Sequence, residues 1–423
     1  MRRTTINLAL LFLLTFFLPF ALSALSDKEI EEMENVLQFG VPEARTQVLQ
    51  KIEQEKEPKT YDLIKKTIRN DQNPEILELA IRLAGNFEIK EVEEKILEIV
   101  EKTEETSLKV AGLRTLGKLK YEKAAEIALK NLENDNPEIK RAAVYILGEL
   151  KDKKSLEKIY GMLDVLDQKD EVLQEAILSI GKIGDKDSIT KLKDILENPG
   201  YSKYIRMYVP IALSKIGGKE VLDILQQASH DKEYFIKIRA IYAMSQLEKV
   251  DLSPLKDTVM SSLKNQNMNI RLTALDVVKA AKDNEYLPFL KYMMDKDPEI
   301  KVRKKAVQVY AKVEKESEVL DLFEKKLNSG DYYTRHFVIE AMKEMELEQT
   351  ISLLRKNFFE KDNHELRLAI LKLLAQKKDN SQAFSLVQDI AMASDLKGYR
   401  ESVQTQRVYA MRVIAQTGWN QAF

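Results

Sequence analysis

At 423 residues the chain exceeds one compact core, so it must hold several domains or one repeat array. Its 14 Gly and 10 Pro are few for that length, which disfavours turn-rich β folds and long flexible linkers. A formal net charge of −1 argues against a nucleic-acid binder, and the lack of cysteine excludes disulfides, thiolate metal sites and a cysteine nucleophile.

The chain opens with a short basic region, Met1-Arg2-Arg3-Thr4-Thr5, followed by the apolar stretch Ile6 to Phe20. Pro19 and the small residues Ala21, Ser23, Ala24 and Ser26 complete the layout of a secretory signal peptide, with cleavage expected after Ser23 or Ser26. On this reading residues 1–26 are removed, and the protein is periplasmic or secreted. The rival reading is an uncleaved membrane anchor, since Ile6 to Leu25 is barely long enough to span a bilayer.

From residue 27 onward the apolar period is helical throughout. In Asn134 to Leu150 a turn (Asn134-Asp135-Asn136-Pro137) precedes Ile139, Ala143, Ile146, Leu147 and Leu150, which form a single apolar stripe. The same pattern registers on the anchors Ala44, Ile76, Leu108, Ile139, Val172, Ile205, Ile236, Ile270, Val302, Thr334, Leu366 and Gln406. Intervals are 31 to 34 residues until the last, which stretches to 40. Four residues past the anchor the side chain is small in every unit except at Ile370, and eight past it is always apolar. A shorter amphipathic segment separates these helices, as in Ala124 to Leu132, Ile189 to Leu196, Val221 to Gln227, Leu255 to Leu263 and Leu320 to Leu327. Each unit therefore reads as helix A, a turn, then helix B. One hairpin cannot bury both of its apolar faces, so neighbours must stack, which predicts an all-α solenoid of about twelve antiparallel hairpins with a concave surface.

Helix B has the pattern apolar-basic-x-x-Ala-x-x-apolar-Leu-Gly after an acidic turn, best seen in Ile139-Lys140 to Gly148, Leu108-Lys109 to Gly117 and Val302-Arg303 to Ala306. It resembles the HEAT repeat, and most closely the short bacterial HEAT-like units. The resemblance covers nearly all of 27–423, expected as one array with irregular spacing near 376–405. It implies a HEAT/armadillo-like superhelix and is nearly silent on activity. The Gly at the ninth position after the anchor (Gly85, Gly117, Gly148, Gly181) becomes Ser, Lys or Ala beyond residue 210, so curvature is expected to change there.

The residue after the anchor is basic in ten of twelve units, from Arg45 to Arg407, and an acid or amide precedes most anchors by three to five residues. The resemblance implies a ladder of ion pairs between successive units rather than a polyanion track. Only three histidines occur, His230, His336 and His364, and no phosphate loop, nucleophile elbow or His-Glu-x-x-His motif appears, so no enzyme, metal or cofactor is expected.

The candidates for contact with a partner are aromatic residues off the apolar stripe. Tyr145, Tyr204, Tyr208, Arg239 and Tyr242, with Tyr333 and Phe337 beside Tyr332 and His336, could form a docking strip, because binding hot spots favour Tyr and Arg. Trp419 and Phe423 are expected to cap the end of the stack. The function expected is an exported, non-catalytic scaffold that binds a protein partner through the concave, B-helix surface of the superhelix, with no role for nucleic acid and none for membrane beyond the N-terminal segment. The alternatives are a ligand-binding protein or lyase, since bilin lyases have similar short repeats, or the same scaffold tethered by an uncleaved helix.

Overall fold

The computed structural model describes residues 25–164, 169–329, 331–377, 380–393 and 400–416. The expected signal segment up to Ala24 and the expected cap residues Trp419 and Phe423 lie outside them. All regular structure among the described residues is helical, and the chain falls into two compact units, Met1–Ile216 and Gly217–Phe423.

In the first unit A and B helices alternate as α1 (Asp27–Phe39) and α2 (Pro42–Glu55), α3 (Tyr61–Asn70) and α4 (Pro74–Asn86), then α5 (Glu93–Lys102) and α6 (Thr106–Leu119). There follow α7 (Ala125–Asn131) and α8 (Pro137–Glu149), α9 (Leu156–Leu163) and α10 (Asp170–Ile183), and α11 (Ser188–Glu197) before a split helix B, α12 (Lys203–Arg206) and α13 (Val209–Ile216). The split traces to Pro210, which has no N–H to donate and whose ring clashes with the carbonyl four residues back. The second unit repeats the plan with α14 (Lys219–Ala228) and α15 (Tyr234–Ser245), α16 (Lys256–Leu263) and α17 (Met268–Ala281), and α18 (Leu287–Lys296) and α19 (Ile300–Val313). It ends with α20 (Glu316–Ser329) and α21 (Tyr332–Met342), α22 (Leu347–Glu360) and α23 (His364–Gln376), and α24 (Ser381–Met392) and α25 (Arg400–Gln416).

The turn residues act as helix caps. The side-chain oxygens of Asn73, Asn136 and Asn267 accept from N–H groups at the starts of α4, α8 and α17, and Pro74 and Pro137 fill first-turn positions that need no donor. At the other end α2, α6 and α17 close on Lys56, Lys120 and Lys282 in the left-handed region, the place Gly184 takes after α10.

Ser26 forms a capping box with Glu29 at the start of α1, and Leu25 is buried.

Stacking at the repeat interval shows directly in the hydrogen bonds. Thr115 Oγ1 donates to the Ile81 carbonyl at 3.0 Å, Lys118 Nζ to Asn86 at 2.9 Å and Asn380 Nδ2 to Glu348 at 3.1 Å, across 34, 32 and 32 residues. Lys66 with Glu34 and Lys356 with Glu324 span 32 residues as well. Beneath them the eighth-position residues Ile52, Leu116, Leu147, Ile180 and Leu213 are fully buried, a burial that stabilises by roughly 1.5–3 kcal/mol for each Leu or Ile.

Two glycine positions set two different approaches. A Cβ on Gly112, four past its anchor, would lie 2.2 Å from Val100 Cγ2, so this position closes helix B onto its own helix A. A Cβ on Gly148 or Gly181, nine past the anchor, would meet the backbone Cα of Ser179 at 2.9 Å or of Ala212 at 2.5 Å, so these glycines bring successive B helices together.

Candidate functional site

The outer face of a B helix is formed by the third, sixth and tenth positions after the anchor, which lie on one side of a 3.6-residue helix. In the first unit these positions bring Arg114, Tyr145, Glu149, Glu175 and Lys182 from α6, α8 and α10 into one ridge. The Tyr145 ring lies between Lys182 Nζ at 4.5 Å and the Arg114 guanidinium at 5.5 Å from its centroid, a pair of cation–π contacts. Lys182 also meets Glu149 at 2.8 Å and Glu175 at 3.8 Å. Burial pushes the Tyr145 hydroxyl above its ordinary range, helped by the charges of Glu149 and Glu175. Burial likewise pushes the Glu175 carboxyl up, and the nearby Lys182, Arg114 and Arg141 only partly offset it.

The raised Glu175 carboxyl makes stability depend on pH. A carboxyl whose folded pKa is raised adds stability below the ordinary carboxylate range and loses it as pH rises through the folded value. Charged Glu175 is therefore a cost at neutral pH, and Glu175→Gln, which resembles the protonated form, unfolds at higher urea than the parent at pH 7. That difference narrows as the pH falls through the raised folded value and is gone below about 4.

The other expected residues separate into groups. Tyr204 is 53% exposed on α12, and Tyr208 follows it in the link that Pro210 forces between α12 and α13. Arg239 and Tyr242 belong to α15 in the second unit, with Tyr242 exposed and Phe235 exposed at the start of the same helix. The expected strip is thus distributed over two units rather than gathered on one helix pair. On α21, Tyr332 and Tyr333 are exposed and meet edge to face at 5.4 Å, and Tyr332 stacks on His336 at 6.3 Å. Phe337 departs from expectation. It is 4% exposed, turned into the packing beside its helix, and presents no docking surface.

A cleft of about 200 Å³ opens between α21 and α23, lined by Tyr332, Arg335, His336, Glu340, Lys343 and Lys372 among others. Lys343 stands nine past its anchor, the position of Gly85, Gly117, Gly148 and Gly181 in the first unit. Burial raises the Glu340 carboxyl, but the Lys343 hydrogen bond at 2.5 Å, with the charges of Lys343, Lys304 and His336, outweighs it and holds the pKa below its ordinary value.

The ladder is present at particular rungs. Arg271 forms a bidentate pair with Asp297 at 2.8 Å on both arms, both residues buried, and Arg45 meets Asp71 at 2.5 Å. Arg303 reaches Asp331 only at 4.0 Å. Arg206, Arg367 and Arg407 donate Nε to the carbonyls of Leu196, Phe358 and Ala391, near the C-terminal ends of the A helices beside them. Among the described residues no group of three or more His, Asp or Glu is placed to hold a metal ion. The sequence reading missed Tyr292, 66% exposed on α18, because it followed the B helices and Tyr292 lies on an A helix.

A family profile described as HEAT repeats matches residues 126–204, 167–245 and 287–375. No curated protein matches the chain by sequence. Among solved structures it is similar to yeast importin-beta, Kap95p, at 12% identity and a TM-score of 0.49, covering 93% of this chain and 63% of that one. It is also similar to Kap95p studied with RanGDP, at 12% identity and 0.44, covering 92% and 60%, and to the Kap121p structure with RanGTP, at 12% and 0.40, covering 93% and 53%. The chain spans between about half and two thirds of the length of these relatives.

These findings correct the export reading. These solved chains are importin-beta Kap95p and the karyopherin Kap121p, one of them described through nuclear import complex assembly. No helix among the described residues is long and apolar enough to cross a membrane. Set against these solved chains the signal peptide, the periplasmic or secreted location and the membrane tether are not retained, and residues up to Ala24, on which they rest, lie outside those searched for a span. No other compartment replaces them, because likeness at 12% identity speaks for fold alone.

Proposed function

Because the chain belongs to the HEAT-repeat family, we propose that it is a non-catalytic scaffold that binds a protein partner through the outer face of its B helices. The observation that carries this reading is the set of aromatic side chains left in solvent on B helices of the second unit. Phe235, Tyr242, Tyr332 and Tyr333 are each between 43% and 49% exposed. They stand beside Arg239 and Arg335, and large aromatics next to arginine are the residues that dominate binding energy when an interface covers them. The first unit's ridge is arranged differently, with Lys182 engaged by Glu149, Glu175 and the Tyr145 ring.

Photo-crosslinking in cells tests the reading. A crosslinking residue at Tyr242 or Tyr332 captures the same protein, and one at Glu318 or Asp321, exposed on helix A of α20, does not. Arg239→Glu reduces the yield at Tyr242. Equal capture from both faces, or none from the B face, contradicts the proposal.

A further inference from the structure

We propose a second docking surface, at the turn edge of the second unit, that takes a short acidic segment of a partner protein bearing one large apolar side chain. The proposal goes beyond the B-face reading. It starts from a groove of about 680 Å³ between α16 and α18, with Leu263, Phe289, Tyr292 and Met293 as its apolar lining. That volume lies within the usual range for ligand sites, roughly 300–1,000 Å³.

The charges of the lining that are not engaged in an ion pair have one sign. Lys264 and Lys296 line it, Lys264 held over the Phe289 ring at 5.2 Å, and no ion pair engages either lysine among the described residues. The one carboxylate in the lining is Asp297, and Arg271 occupies both of its oxygens at 2.8 Å. An incoming carboxylate therefore meets two available ammonium groups and no competing acid on the lining. An apolar side chain from the same segment meets a wall of aromatic and aliphatic carbon.

The first unit supplies an internal control. The groove at the same register, about 660 Å³, lies beside the Arg45–Asp71 pair, as this one lies beside Arg271–Asp297. There Leu63 stands in the place of Phe289, Lys66 in that of Tyr292, Gln38 in that of Lys264 and Asn70 in that of Lys296. Lys66 is paired with Glu34, so that groove is polar and its charge is balanced. The fold thus needs neither aromatic rings nor unpaired lysines at these positions. Their presence in the second unit, with Tyr292 66% exposed, answers to something other than hairpin stacking.

The test uses the full chain with 13C-labelled methionine methyls and three synthetic peptides. One carries glutamates around a central phenylalanine, the second lysines in place of the glutamates, and the third alanine in place of the phenylalanine. The acidic phenylalanine peptide shifts the Met293 methyl resonance, and its affinity falls with added salt. Phe289→Leu with Tyr292→Lys, the residues of the first-unit groove, weakens it at least ten-fold, as does Lys264→Gln with Lys296→Asn. The other two peptides leave Met293 unmoved. Equal binding of the basic peptide, equal binding by either double variant, or a Met293 shift that depends only on protein concentration (a second copy as the occupant) overturns the proposal. Crosslinking from Tyr242 in the Phe289→Leu, Tyr292→Lys protein reports on the B-face reading separately, so either surface can fail alone.

Discussion

Gly181→Ala destabilises the protein, whereas the same substitution at Gly161 stabilises it. Both glycines lie within helices, where replacing Gly by Ala is ordinarily worth roughly 0.5–1 kcal/mol because less backbone entropy is lost on folding. Around Gly161 a Cβ meets nothing within 4 Å, so that gain is realised in full. At Gly181 the Cβ would lie 2.5 Å from Ala212 Cα and 2.7 Å from its carbonyl oxygen. Backbone cannot rotate aside as a side chain can, so α10 and α13 must separate along their contact. Overpacking of that kind costs about 1–3 kcal/mol and outweighs the propensity gain. The midpoint of urea unfolding reads both signs. A rise for Gly181→Ala would mean that the B helices do not touch at the ninth position.

Asp297→Ala removes the anionic half of the most enclosed rung and costs roughly 3–5 kcal/mol, the usual cost of leaving one member of a buried pair uncompensated. Arg271 is 7% exposed, and without Asp297 its guanidinium retains only the carbonyls of Asn265 and Gln266, at 2.8 and 3.0 Å. The backbone N–H of Glu299, which donates to Asp297 at 2.9 Å ahead of α19, loses its acceptor as well. Asp331→Ala is the contrast. Its pair with Arg303 is 4.0 Å long and its side chain 58% exposed, so solvent screens the charge term to about 0–1 kcal/mol. Most of its effect comes from the cap it makes on the Thr334 N–H, about 1 kcal/mol. Equal losses at Asp297 and Asp331 would show that burial does not set the strength of a rung.

The parts of the fold legible in the sequence were those imposed by shared burial. Stripes returning near every 32 residues placed α7, α11, α14, α16 and α20 to within a few residues, because each must meet its neighbour at a fixed register. Pro210 stood in plain view, yet its consequence, the break between α12 and α13, follows only when the donor it lacks is counted. The ladder was legible at Arg45 and Arg271, whereas the carbonyls that Arg206, Arg367 and Arg407 reach were not. A long side chain reaches backbone carbonyls as well as carboxylates by local geometry that spacing does not encode.

The candidate site was less legible still. Phe337 and Tyr242 both lie off the apolar stripe, and only the structure distinguishes the buried ring from the exposed one. Phe337 and Arg239 both stand three past their anchors, yet Phe337 is buried and Arg239 half-buried, so the packing around each helix and not the position decides which is enclosed. Tyr292 escaped notice because the repeat pattern directs attention to helix B. The export reading rested on residues 1–26 alone, and no repeat contact could corroborate it.

The central claim is that successive hairpins stack at one constant step, and pulsed electron spin resonance between labels on the B-helix ends measures that step. With no native cysteine, single pairs of labels can be placed among Lys56, Glu88, Lys120 and Lys151, all at left-handed helix ends of the first unit. Packed helices lie about 8–10 Å apart, so distances measured from residue 56 should lengthen by roughly that step at each successive label. Distances that stop growing after two hairpins, or that scatter without order, would mean the stripes close into separate bundles and would contradict the account.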